Sequence, residues 1–94
     1  MDDGKRLTTL AAMPSKHDGI VVDIRGGRAI RARLGSLGVR PGKRIVKLSE
    51  MLMHGPVMVE VDRAQVAVGF DVASRVVVSL SEVGIDSNTV DGKS

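Results

Sequence analysis

The sequence predicts an all-β domain, a small barrel carrying one or two short helices. Three observations lead there. Short β-branched runs recur between Gly- and Pro-marked turns. A single stretch, residues 28–37, carries a helical period instead. The chain has 94 residues, room for one domain. Closing such a sheet into a barrel removes the exposed edges that a valine-rich chain would otherwise present.

The elements follow in order. Residues 1–6 are polar and read as a flexible N-terminus. Leu7–Leu10 reads as a first short strand, and Met13–Gly19 as a loop punctuated by Pro14 and Gly19. Ile20–Ile24 is a β-branched strand ended by Gly26-Gly27. In Arg28–Leu37 the apolar residues Ile30, Leu34 and Leu37 recur four and three apart, on one helical face. Gly38 follows as a C-terminal cap where a Cβ would clash. Gly35 weakens that helix, and a close approach to the sheet is a reason for it to be there.

Arg40-Pro41-Gly42 is a turn. Lys43–Leu48 is the next strand, with Ile45-Val46 breaking its alternation through a bulge or through burial of both faces. Ser49–Pro56 is a loop. Val57–Val61 alternates cleanly, Asp62-Arg63 is a tight turn, and Gln65–Gly69 returns. Phe70–Ser74 suits a single helical turn, and Val76–Leu80 is the last strand. The polar, acidic tail 81–94 reads as disordered, which leaves 7–80 as the domain.

Composition removes several function classes. The chain has no Cys, which excludes a disulfide scaffold, a zinc finger and a cysteine nucleophile. Phe70 is its one aromatic residue, so the core must be aliphatic, and base stacking on aromatic rings has little to work with. No apolar run has the length of a signal peptide or of the ~20 residues that span a bilayer. A soluble cytoplasmic protein without membrane insertion is expected.

Charge is unevenly placed. Between Ile24 and Ser49 stand eight basic residues (Arg25, Arg28, Arg31, Arg33, Arg40, Lys43, Arg44 and Lys47), while all 11 acids lie elsewhere. Such a block steers an anionic partner, although solvated basic surfaces are common.

Site chemistry is sparse. His17 and His54 are the two histidines and lie far apart in loops. Met51, Met53 and His54 form a soft-donor cluster of the type that suits Cu(I), but three such groups are too few to argue a metal site. Packing of a hairpin tip explains Met51-Leu52-Met53-His54 more simply, and an adaptable contact patch is a third reading. Gly26-Gly27 precedes a helix without either phosphate-binding glycine motif. No catalytic constellation is spelled out, so neither an enzyme nor a cofactor is expected. A docking module is, with Arg28, Arg31, Arg33, Arg40, Arg44, Met51, Leu52, Met53 and His54 as the candidate contact residues.

The segment Arg33-Leu34-Gly35-Ser36-Leu37-Gly38-Val39-Arg40-Pro41-Gly42 resembles the FeoA family of ferrous-iron transport accessory proteins. Gly55-Pro56 entering a strand and the order of elements over 7–80 are similar too. The matching structural positions are Leu34, Leu37, Gly38, Pro41, Gly42, Gly55 and Pro56. Two positions depart: Arg63 stands where the family places a hairpin glycine, and Ser15-Lys16 lacks the glycine often found after the proline. The resemblance implies an SH3-like barrel acting in the cytoplasm. It implies a non-enzymatic partner of FeoB, the membrane GTPase and ferrous-iron permease, that contacts its cytosolic part. A related barrel ends some repressors of the diphtheria-toxin-repressor type, but residues 1–6 spell no helix-turn-helix, so a whole repressor is not expected. The alternative is a nucleic-acid-binding barrel using the basic 25–47 segment, favoured by charge and opposed by the missing aromatics. Self-association is a further expectation to test.

Overall fold

A computed structural model describes residues 5–50 and 54–81. Residues 1–4, 51–53 and 82–94 lie outside the described residues, and with them most of the expected N-terminal and C-terminal tails and the tip Met51-Leu52-Met53. The chain runs β1 (Lys5–Thr9), β2 (His17–Ile24), α1 (Arg28–Ser36), β3 (Arg44–Glu50), β4 (Val57–Val61), β5 (Ala64–Val68), α2 (Phe70–Ala73) and β6 (Val76–Ser81).

The strands form one antiparallel sheet in the order β1-β6-β2-β3-β4-β5. It curls around one aliphatic core, so strands far apart in the order share that core: Val21 and Ile24 of β2, Val76 and Val78 of β6, Ile45 of β3, and Val57, Val59, Val61 and Val68 of the β4–β5 hairpin. Val57, Val59 and Val61 are buried while Met58 and Glu60 are half-buried, the period of two expected of a strand with one covered face. Leu10 and Met13 fill the interior from the β1–β2 connection. The edge strands β1 and β5 do not pair with each other among the described residues, so the barrel is open at that seam, unlike the closed sheet expected.

Several expectations are corrected. Leu37 does not share the buried face of α1: Leu34 is fully buried and Ile30 packs on the core, but Leu37 is 41% exposed. The helix ends at Ser36, and the amide of Leu37 bonds the carbonyl of Leu34 at 2.9 Å, three residues back, so the last turn is tightened and the α-helical period no longer holds there. Gly35 makes no close approach, since a Cβ there would meet nothing within 4 Å. Gly38 does adopt φ +93°, the left-handed conformation expected of the cap.

The irregularity of β3 lies later than Ile45-Val46. The register against β4 shifts between Lys47 and Ser49, and Ile45 and Lys47 face inward together. Lys47 is a buried charged residue that the sequence conceals. Its ammonium donates to the carbonyls of Ala11 at 3.0 Å and Met13 at 2.7 Å, fastening the β1–β2 connection to the sheet.

The two departures from the family pattern both fall on left-handed backbone. Lys16 has φ +67°, and the two-residue β4–β5 turn has φ +53° at Asp62 and +67° at Arg63. Positive φ at both central residues is the type I′ pattern, which glycine adopts without strain.

Candidate interaction surface

The strand directions decide which loops share an end. β2 and β4 finish, and β3, β5 and β6 begin, at the end of the barrel that α1 covers. At one side of this pole the amide of Arg25 donates to the carbonyl of Arg75 at 2.7 Å. There Gly26 has φ +131°, and its missing Cβ would lie 3.0 Å from Ile30 Cδ1 and 3.6 Å from Arg75 Cδ. At the other side the cap Gly38 sits over the β4–β5 turn, its missing Cβ 3.5 Å from Asp62 Oδ2 and 3.6 Å from Val61. Helix α1 therefore bridges the pole from Arg75 to Asp62.

The pole is cationic. Arg28, Arg31 and Arg33 are exposed on α1. Arg25 precedes the helix, Arg40 follows it, and Arg63 and Arg75 arrive from the β4–β5 turn and the α2–β6 connection, all exposed. Among the described residues none of these seven arginines makes a side-chain hydrogen bond or ion pair. Lys43 is paired, with Nζ 2.9 Å from Asp62. Acids stand near this array too: Asp62 lies under the helix cap, Glu60 and Asp62 share a depression with Arg63, and the exposed Asp23 comes two residues before Arg25. Arg63 and Arg75 were missed because they stand far from the basic stretch in sequence. The antiparallel order of strands was the signal that could have found them.

The other candidate contact residues lie elsewhere. Arg44 Nε is 2.7 Å from Asp18 Oδ2 across β2 and β3, so its charge is engaged on the sheet face. Together with Val46, Glu60, Asp62 and Arg63 it lines a shallow depression of about 470 Å³. His54 stands at the far end of β3 from α1, about 20 Å along the strand at roughly 3.3 Å per residue. It has φ +60°, and its ring stacks on Phe70 with centroids 4.4 Å apart and planes 15° apart. Met51, Leu52 and Met53 lie outside the described residues. The structure thus gathers Arg28, Arg31, Arg33 and Arg40 on one pole and does not bring His54 to them.

Of the structural positions, Leu34 is buried and Gly42 has φ +94°, with its amide donating to the carbonyl of Val21 at 2.7 Å. Pro41 is exposed before it, and Gly55 and Pro56 lead into β4. His17 Nδ1 lies 3.1 Å from the carbonyl of Ser15. Among the described residues no three His, Asp or Glu side chains converge as a metal-binding group. No helix among them is long and apolar enough to cross a membrane.

The FeoA domain family matches residues 8–80. A solved iron uptake regulatory protein, FeoA, is 37% identical, with a TM-score of 0.72 over 80% of this chain and 99% of that one. The FeoA protein from Chlorobium tepidum is 17% identical, with a TM-score of 0.72 over 89% of this chain and 79% of that one. A manganese-dependent transcriptional repressor is 23% identical, with a TM-score of 0.73 over 79% of this chain but 41% of its own. The last two likenesses show the fold alone, the small SH3-like barrel. No curated protein sequence matches. With its ordered core, its glycine-capped helix and its Pro41-Gly42 turn inside the matched span, the chain belongs to the FeoA family.

Proposed function

We propose that this chain is a non-enzymatic accessory protein of ferrous iron uptake that docks on the cytosolic GTPase part of the FeoB permease and modulates it. The family match over residues 8–80 carries this reading, and supports a part in ferrous iron transport. The arginine pole is consistent with it, because unpaired cations on a rigid helix steer an acidic partner into register. The reading requires a cytoplasmic location.

The test is a binding titration of the chain against the cytosolic G-domain fragment of the same organism's permease, with and without guanine nucleotide. An RNA at moderate salt serves as control. Saturable binding to the G domain is the expected result. Binding to RNA alone, falling steeply with added salt, would replace it with the nucleic-acid reading.

A further inference from the structure

We propose that the α1 pole is an electrostatic membrane-contact surface that adsorbs the chain onto bilayers rich in anionic phospholipid. Charge complementarity is the first ground. Arg28, Arg31 and Arg33 on α1, with Arg25, Arg40 and Arg75 around them, are exposed and unpaired among the described residues. Three stand on α1 and three on the connections around it, all at the end of the barrel that α1 bridges from Arg75 to the β4–β5 turn. An anionic surface attracts basic groups held against it, each by an amount worth a several-fold gain in partition.

Leu37 is the second ground. It is 41% exposed between Arg33 and Arg40, where α1 gives way to its glycine cap. An apolar side chain flanked by cations suits the boundary between headgroups and acyl chains, where both find a partner. Along a nucleic-acid phosphate backbone the leucine would gain nothing. The pole has no aromatic residue for base stacking either, since Phe70 is engaged with His54. These cations can steer an acidic protein partner, but the apolar grip of such a partner would lie elsewhere, since one leucine does not make an apolar centre. Ala29 and Ala32, exposed between the arginines, let the helix lie close to a flat surface. Adsorption would concentrate an accessory protein where a permease resides, but it requires no protein partner.

The test is co-sedimentation of the full chain with vesicles of phosphatidylcholine containing roughly 30% phosphatidylglycerol, against phosphatidylcholine alone, at low salt and near 0.15 M salt, where the Debye length is about 8 Å. Binding to the anionic vesicles only, weakened by salt, is expected. Arg28→Gln with Arg31→Gln should weaken it about 20-fold. Arg6→Gln with Lys16→Asn removes the same net charge away from the pole and should leave partition near wild type. Leu37→Ser, which changes no charge, should weaken it about five-fold. Circular dichroism checks that each variant is folded. No sedimentation with anionic vesicles overturns the proposal. So does equal weakening by the two double variants, which would make net charge and not the pole responsible. An RNA that binds at least as tightly while Leu37→Ser has no effect also overturns it, in favour of nucleic acid. The vesicles contain no permease, so failure here leaves the docking reading standing, and failure to bind the G domain leaves this one standing.

Discussion

Replacing Lys47 by methionine tests the most unusual contact in the core. The side chain is fully buried, and its ammonium donates to the carbonyls of Ala11 and Met13 at 3.0 and 2.7 Å. A hydrogen bond from a charged donor is worth about 1.5–3 kcal/mol, so two amount to about 3–6 kcal/mol. Methionine has a similar volume and leaves no large cavity. It also removes the dehydration penalty that the native fold bears for burying an ammonium, which returns part of the loss. The balance is a destabilisation of about 2–3 kcal/mol. In a domain this size 1 kcal/mol moves the melting temperature by about 4–8 °C, so a fall of about 10–20 °C is expected. Thermal circular dichroism measures the fall. Amide exchange should accelerate first at Ala12, Met13 and Lys16, whose amides bond within or beside the connection that Lys47 holds. A melting temperature unchanged or raised would refute the reasoning. It would mean that the buried charge is a burden larger than its bonds to Ala11 and Met13.

Other substitutions separate backbone from packing effects. Gly35→Ala should raise stability by about 0.5–1 kcal/mol in chemical denaturation, because a helix interior gains from alanine and no neighbour stands within 4 Å. Three residues on, Gly38→Val should lower it by about 2 kcal/mol, because φ +93° strains a β-branched residue; an unchanged denaturation midpoint would remove the cap assignment. Gly19→Ala should be the most damaging of these changes, by about 3 kcal/mol, since its Cβ would lie 2.5 Å from Val78 Cγ1 and 2.7 Å from the backbone oxygen of Ser79. Arg63→Gly should raise the melting temperature by about 2–4 °C, because relief of left-handed strain exceeds the added chain entropy; a fall would show that the Arg63 side chain stabilises the turn.

Much of the chain was legible from local chemistry. The alternation of Val57, Val59 and Val61, the positive-φ glycine after α1 and the two-residue turn at Asp62-Arg63 depend on neighbours two to four residues away, and such patterns are written in the sequence itself. Strand ends were less legible: β2 begins at His17, not Ile20, because its polar first residues pair with β3 through backbone groups that no side-chain pattern reports. Lys47 was hidden for a related reason. A lysine in a strand reads as solvent-facing, and the carbonyls of Ala11 and Met13 that receive its ammonium stand more than thirty residues earlier.

For the interaction surface the division is sharper. The sequence alone determined that the chain is an aliphatic, cysteine-free small β domain of FeoA type with an arginine-rich middle. Tertiary structure decided which of those cations act together. It engaged Arg44 with Asp18, Lys43 with Asp62 and Lys47 with main-chain carbonyls, joined Arg75 to Arg25 at the start of α1, and set the β4–β5 turn that carries Arg63 under the cap of that helix. It also set His54 at the other end of the barrel. The reason is physical: burial, turn type and periodicity are local properties, whereas a field is the sum over charges that only the antiparallel order of strands brings to one pole.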